Sequence, residues 1–400
     1  MKILIFNFEY PPLGGGGGIA TKYIAEELAP SHEVHVITSR PSRKFKDWSD
    51  HCPSSAPVVN GVYIHRVPVW GRTSLAVASL VSMITFVPSA WWKARKMVKE
   101  YNFDVINAQF VIPSGVPAGW ISRRYRIPMV LSFIGGDLFD PTKGVSPHRH
   151  WILRKIVKVI SNQATVCTAI SHDTKRRAVD IHKVTKEIVV INLGIVAKAH
   201  TGHKTRRELG LPEGVPLFVS LGRLIPRKGY GCLLEALAKA TKAHLAIMGD
   251  GPLLDNLKKK AYDLGVSERM HWLGYVSEED KINILDVADG FISASEHEGF
   301  GIVFLEAMES GLPIIGTWEG GQTDFLVHER NALLVPPKNA QAMADGMNRL
   351  MGDHKLGQKM GEINRQEVQG FYWPRVGKRY EEVLQSCLQE HKASTVGETI

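Results

Sequence analysis

Two acids with seven residues between them stand in the run from His297 to Pro313, which reads His-Glu-Gly-Phe-Gly-Ile-Val-Phe-Leu-Glu-Ala-Met-Glu-Ser-Gly-Leu-Pro. The first, Glu298, lies in a glycine-bounded loop. The second, Glu306, falls one turn into the helix expected over Ile302 to Ser310, which Gly311-Leu312-Pro313 would stop. This spacing brings both carboxylates to one helix N-terminus, where the N–H groups of Gly299, Phe300 and Gly301 favour an anion. Two carboxylates beside an anion site suit a ligand carrying hydroxyls and phosphates together, as a nucleotide sugar does. The competing reading is a solvated helix start with Glu306 as a capping or surface acid.

Two cations, Arg223 and Lys228, follow the strand expected to end at Ser220. A leaving diphosphate gains charge as its bond to a sugar breaks, so cations fixed there stabilise the transition state more than the ground state. Arginine can engage two phosphate oxygens at once and lysine supplies a point charge. No Asp-x-Asp pair occurs to hold a divalent metal at a diphosphate. The expectation is metal-independent chemistry with no cofactor, the two cations taking the metal's role.

Three ordered motifs carry a resemblance: Gly222-Arg223-Leu224-Ile225-Pro226-Arg227-Lys228-Gly229, then Met248-Gly249-Asp250-Gly251-Pro252, then Glu298-x7-Glu306. Their order and spacing resemble the retaining glycosyltransferases of family 4, also called glycosyl transferases group 1, which have the GT-B fold. The likeness spans nearly the whole chain and is strongest from Val215 to Pro337. It implies that Arg223 and Lys228 bind the donor diphosphate, that Glu306 holds the ribose hydroxyls, and that Glu298 hydrogen-bonds the transferred sugar. It further implies that Gly249 to Pro252 and Gly274-Tyr275-Val276 wall the base pocket, with the Tyr275 side chain expected in ordinary core packing. Many members carry His-Gly-x-Asp after a strand matching Val130 to Phe133. Here the tetrapeptide is Ile134-Gly135-Gly136-Asp137, so the Asp is kept as a catalytic candidate and the His contact to the sugar is lost.

The elements that must position these residues alternate between short apolar runs and helical stretches, the pattern of doubly wound parallel sheets. Lys2 to Phe8 opens the chain as a strand, followed by the glycine loop Gly14-Gly15-Gly16-Gly17-Gly18 and a helix over Ile19 to Ala29. The loop departs from the dinucleotide fingerprint, and its glycines let a ligand approach the backbone closely. Further strands are expected at Glu33–Thr38, Asp104–Asn107, Pro128–Phe133, Gln163–Ala169 and Ile188–Asn192. The second half repeats the alternation from Leu217 to Val335, with Ser277 and Asp280 as a capping box. The reading is an α/β chain of two Rossmann-like domains facing across a cleft. Residues 1–195 form an acceptor-side domain, 196–214 a linker and 215–371 a nucleotide-sugar-binding domain. Residues 372–400 form a final helix that, in GT-B proteins, crosses back to the first domain.

Composition sets the outer bounds. The 400 residues exceed one ordinary core, and the charged fraction of 22% is normal for a soluble protein. The net charge of +9 calls for an anionic partner. No zinc-finger spacing or RNA-binding aromatic motif points to nucleic acid. An anionic membrane surface fits better, because the uncharged stretch Leu75 to Trp92 runs into Trp91, Trp92, Lys93, Arg95, Lys96 and Lys99. On a helix Trp92, Lys96 and Lys99 share a face. Serines, Thr85 and Pro88 dilute the stretch, so it is expected as a helix inside the domain and not as a span. The scattered Cys52, Cys167, Cys232 and Cys387 form no metal or redox pair and fit a reducing compartment. The expectation is a cytoplasmic protein, peripheral on the cytoplasmic membrane face. It would move a sugar from a nucleotide-sugar donor to a glycan, a lipid-linked or a small-molecule acceptor. The rivals are a sugar-nucleotide epimerase of the same fold and a non-catalytic nucleotide-sugar-binding protein.

Overall fold

The computed structural model describes residues 1–40, 58–72, 78–142, 144–198 and 204–397. Cys52, the start of the uncharged stretch at Leu75 and residues 199–203 of the expected linker lie outside them. The chain divides into two compact units, Met1–Gly194 with Trp373–Ile400, and Ile195–Tyr372.

The first unit is built on an eight-stranded sheet. Its strands are β1 (Lys2–Asn7), β2 (Glu33–Arg40), β3 (Val58–Val59), β4 (Val62–Pro68), β5 (Val105–Gln109), β6 (Met129–Phe133), β7 (Val166–Ala169) and β8 (Ile188–Val190). They lie in the order β3-β4-β2-β1-β5-β6-β7-β8, and all pair in parallel except β3 with β4. Helices on both faces explain the continuous apolar runs: Ile3, Leu4, Ile5 and Phe6 are all fully buried. The strand β4 was not anticipated. Tyr63, His65 and Arg66 break its apolar alternation, but His65 is buried, bonds His35 at 2.9 Å and stacks on its ring.

Helix α1 (Gly16–Leu28) lies after β1, α2 (Leu80–Tyr101) after β4, α3 (Val116–Tyr125) after β5, α4 (Trp151–Gln163) after β6 and α5 (His172–Asp180) after β7. The start of α1 corrects the expected glycine loop, because Gly16, Gly17 and Gly18 are helical. Gly17 and Gly18 are glycines for lack of room. A Cβ on Gly18 would overlap the carbonyl oxygen of Glu9, and one on Gly17 would overlap the Phe110 ring.

The second unit holds a six-stranded, wholly parallel sheet. Its strands are β9 (Leu217–Leu221), β10 (His244–Met248), β11 (Met270–Gly274), β12 (Gly290–Ile292), β13 (Ile314–Thr317) and β14 (Ala332–Val335), in the order β11-β10-β9-β12-β13-β14. The intervening helices are α6 (Tyr230–Lys239), α7 (Leu254–Asp263), α8 (Glu278–Val287), α9 (Ile302–Glu309), α10 (Ala340–Gly352) and α11 (His354–Glu367). Ser277 caps α8 by accepting from the Asp280 N–H at 3.0 Å. The reciprocal half of a capping box is absent, because the Asp280 carboxylate turns to the Ser277 hydroxyl and to Lys204.

Residues 204–214, expected as linker, are fastened to this unit. Lys204 pairs with Asp280 at 2.6 Å, and Arg206 binds the Asp289 carboxylate at 2.9 Å and the carbonyls of Val287 and Val215 at 2.8 Å. The last helix, α12 (Trp373–Gly397), belongs to the first unit and packs on α1. Trp373 stacks on Tyr23 with ring centroids 5.2 Å apart, and Glu381 meets His32 at 2.9 Å.

Candidate active site

In each sheet the strand order reverses once. The chain winds outward from β9 through β10 to β11, then returns to place β12 on the other side of β9. The loops leaving the carboxyl ends of β9 and β12 therefore flank a switch point, the place where open α/β sheets bind ligands. One of these loops carries Gly222 to Gly229 and the other Ser293 to Gly301.

These two loops are tied together by charge. The Lys228 ammonium donates to Glu298 Oε1 at 2.6 Å, and the Ser295 hydroxyl donates to the same oxygen at 2.6 Å. Arg227 Nη1 donates to Glu298 Oε2 at 3.2 Å and to the His297 carbonyl at 2.6 Å. The Glu296 N–H closes the clamp by donating to the Arg227 carbonyl at 2.8 Å. Glu298 is buried. Burial alone pushes its carboxyl up, but Lys228 and then Arg227 outweigh burial and hold it down at about 2. Sequence reasoning missed Arg227. Its only signal was its place beside Lys228, and nothing in the spacing says which of two neighbouring cations turns inward.

Arg223 differs from this pair. It is exposed, and among the described residues no carboxylate or carbonyl accepts from its guanidinium. It stands at the end of β9 with its charge available to an incoming anion. Gly222 and Gly249, after β9 and β10, meet so closely that a Cβ on Gly249 would overlap the Gly222 carbonyl oxygen. The Gly249 N–H donates to the Gly274 carbonyl at 2.7 Å, which brings the Gly249 and Gly274-Tyr275-Val276 segments side by side. Tyr275 is 92% exposed, which overturns the expectation of core packing. A ring left in solvent at the end of β11 is open for stacking.

Glu306 lies in α9, whose N-cap is Gly301 with φ at 94°. Lys281 bonds its Oε1 at 2.6 Å and also pairs with Glu278. Burial pushes the Glu306 carboxyl up, and the Lys281 cation opposes it. Phe300 is a core residue whose ring packs on Phe325 at 5.1 Å, so only its backbone faces the loop. Among the described residues no protein group accepts from the N–H of Phe300 or Gly301. Gly299, by contrast, has a partner of its own.

The remaining expected site residues belong to the first unit, whose switch point falls between β1 and β5. The glycines Gly14 to Gly18 follow β1, and Phe110 follows β5. Asp137 lies after β6, is buried, and spends both oxygens on backbone: Oδ2 accepts from the Val111 N–H at 2.9 Å and Oδ1 from the Ile134 N–H at 3.0 Å. Burial pushes its carboxyl up to about 6 against those N–H groups. Both oxygens of Asp137 thereby hold the loops after β5 and β6 together. Ile134 packs beside Gly17, where an added Cβ would meet its Cγ2 at 3.0 Å.

Two family models match in succession. Glycosyltransferase Family 4 covers residues 14–198 and Glycosyl transferases group 1 covers residues 203–367. The chain belongs to the group 1, family 4 glycosyltransferases. This glycosyltransferase is 26% identical over 406 residues to N-acetyl-alpha-D-glucosaminyl L-malate synthase of Bacillus anthracis, with 98% of the chain and 99% of the relative covered. It is 26% identical over 408 residues to a GDP-mannose-dependent alpha-(1-6)-phosphatidylinositol monomannoside mannosyltransferase of Mycolicibacterium smegmatis, covering 98% and 100%. Its fold matches the HepE protein of Anabaena, solved in complex with UDP, at a TM-score of 0.78, with 19% identity over 96% of this chain and 100% of that one. The two parallel-sheet domains are those of the GT-B fold.

Proposed function

We propose that this glycosyltransferase takes its sugar from a nucleotide-sugar donor held on the second unit, transfers it with retention of anomeric configuration, and needs no metal ion to do so. The observation that carries the reading is the cation set at the β9–β12 switch point, where Arg223 has no partner among the described residues and Lys228 sits on a flexible stem nearby. The sugar C1–O bond to the diphosphate breaks and the acceptor oxygen bonds to C1 on the same face. The acceptor proton passes to a leaving phosphate oxygen, so no protein nucleophile is required. Arg223 and Lys228 take up the charge that develops on the diphosphate. Glu306 Oε2 is left to accept from ribose hydroxyls, and the N–H groups of Phe300 and Gly301 add to the anion site. Tyr275 offers an exposed ring to the base, and Gly249 and Val276 line that side. Glu298 orients the sugar. Gly14 to Gly18 shape the acceptor side, and Asp137 ties together the neighbouring loops at Val111 and Ile134.

Support from relatives is of two kinds. The HepE protein of Anabaena binds UDP, and the Mycolicibacterium enzyme is named as GDP-mannose-dependent. Both are consistent with a nucleoside diphosphate as leaving group, and their difference leaves the base to the pocket. The test is turnover of a panel of UDP-, GDP- and ADP-sugars in excess EDTA, with the anomer of the product read by NMR. Retained activity and retained configuration support the reading. Inversion, or loss with EDTA that Mg²⁺ or Mn²⁺ restores, overturns it.

A second feature favours an acceptor presented at a membrane. Helix α2 turns Leu80, Val81, Ile84 and Trp92 to solvent on the face that continues into Arg95, Lys96 and Lys99. Trp91 packs on the core, so of the expected tryptophan pair only Trp92 faces outward. Arg95 lies over both indole rings, 5.4 and 5.6 Å from their centroids. The same surface continues over the neighbouring α3 and α4, which expose Trp120 and Trp151. Every charged residue on α3 and α4 is basic, and Glu100 is the single acid on α2. Among the described residues no helix is long and apolar enough to cross a membrane. Tryptophans among cations match an anionic bilayer surface, at about 1 kcal/mol per engaged cation. The protein should sediment with vesicles containing anionic lipid at low salt and be released at high salt. Failure to sediment at low salt, or indifference to lipid charge, removes the membrane from the account.

A further inference from the structure

Glu298 poses a physical problem for any use of Lys228 on a phosphate. The carboxylate is 6% exposed. A carboxylate left buried without a partner costs several kcal/mol or takes up a proton. If Lys228 were its only counter-charge, the arrival of a diphosphate would make one ammonium serve two anions.

We propose that Arg227 is a positioning residue that keeps Glu298 paired and in place, and so releases Lys228 to the donor diphosphate. The inference rests on the reading of Lys228 given above. Three features of Arg227 carry it. First, it holds the other oxygen of the carboxylate, Oε2, while Lys228 and Ser295 share Oε1. Departure of Lys228 therefore leaves Glu298 with a cation on one oxygen and a hydroxyl on the other. Second, Arg227 cannot follow Lys228 away, because its Nη1 also donates to the His297 carbonyl and its own carbonyl accepts from Glu296. Side chain and main chain are both fastened to the segment that carries Glu298. Third, Arg227 and Lys228 sit in one short 3-10 turn, Pro226–Lys228, so a single turn presents both cations to Glu298.

The chemistry of the two cations suits this division. The guanidinium is a planar fork that serves two acceptors at once, here a carbonyl and a carboxylate. The ammonium is a point charge on four rotatable carbons and can swing between acceptors at little cost. Two cations facing one carboxylate leave one positive charge uncompensated, and that charge is what a leaving diphosphate meets. Replacing Arg227 by a neutral residue should therefore weaken the grip on the diphosphate and expose Glu298 to protonation together.

The experiment follows the Glu298 carboxyl by carbon NMR in protein labelled at the glutamate side chain, with the signal assigned by its loss in Glu298→Gln. The titration runs from pH 8 to about 4.5, within reach of an ordinary glutamate. Lys228→Gln mimics the departed lysine, and its Glu298 signal is expected to stay that of a carboxylate throughout. In Lys228→Gln with Arg227→Gln the signal should move with a midpoint above about 5. A second pair of titrations adds inorganic pyrophosphate to the wild type and to Arg227→Gln, and only the latter should titrate. Arg227→Lys, which restores the charge, should return the flat profile. Titration of Glu298 in Lys228→Gln alone, or a flat profile in Arg227→Gln with pyrophosphate bound, overturns the inference about Arg227. Failure of pyrophosphate to bind the wild type overturns instead the reading of Lys228 on which it rests.

Discussion

Glu298 and Asp137 are both buried carboxylates in loops at the carboxyl ends of parallel strands, one in each unit, yet their environments drive them in opposite directions. Glu298 meets two full cations and is held at about 2. Asp137 meets only backbone N–H groups, those of Val111 and Ile134 foremost, whose partial charges do not offset burial, and is pushed up to about 6. The difference separates the two switch points by the work they do. At β9 and β12 charge is concentrated and partly left over, which is what an anionic leaving group needs. At β1 and β5 the loops carry glycines, Phe110, Ile134 and the acid Glu9, Arg66 reaches the Pro11 carbonyl, and Asp137 spends its carboxylate on backbone. That side offers shape and close approach to backbone.

The largest expected effect that would sharpen the comparison is on Lys228. Lys228→Ala should lower donor turnover by about a hundredfold, on the scale of a lost transition-state contact, with the thermal unfolding midpoint little changed because Arg227 remains on Glu298. Turnover near that of the wild type would break the assignment of charge to the second unit. On the first unit the effect should be on stability. Gly18→Val places a side chain where the Glu9 carbonyl lies and should destabilise the unit by roughly 1–3 kcal/mol in denaturant titration, while nucleoside diphosphate affinity stays within about threefold. A variant of unchanged stability would mean that the helix start can shift to make room.

The two carboxylates give opposite pH signatures. For Glu298 the folded-state pKa lies below the unfolded one, so its contribution, about 3 kcal/mol, is present above about pH 4.5 and is lost as pH falls toward 2. For Asp137 the folded-state pKa lies above the unfolded one, so stability is lost as pH rises from about 4 to 6. Asp137→Asn should abolish that second slope. It should change stability at pH 8 by only about 1 kcal/mol, because relief of a buried charge offsets the loss of one of two acceptors. Persistence of the slope in the variant would place its origin elsewhere.

Much of the second unit was legible because its chemistry is written in charge. Glu298, Glu306, Arg223 and Lys228 stand at fixed spacings beside glycines, and the alternation of apolar runs and helices marked that sheet from Leu217 to Val335. Arg227 was not legible, because which of two adjacent cations faces inward depends on the turn Pro226–Lys228 and on a loop about 70 residues later in the chain. Tyr275 was misjudged because an aromatic residue after a strand has a strong prior for the core, whereas here the chain turns at Gly274 and leaves the ring outside. In the first unit the run Gly14 to Gly18 read as a loop because glycine is a poor helix former. Close packing against Glu9 and Phe110 overrides that preference. The strand β4 was hidden by polar residues whose partners, His35 above all, come from a distant strand.

The central claim is that the second unit holds a donor diphosphate with its own cations. Calorimetric titration of UDP, GDP and ADP into the protein in excess EDTA tests it most directly, repeated with Arg223→Ala and Lys228→Ala combined. The account predicts that at least one nucleoside diphosphate binds without metal and that the double variant loses at least tenfold in affinity, about 1.4 kcal/mol. Binding that appears only when Mg²⁺ or Mn²⁺ is added, or that is the same in the double variant, would contradict it.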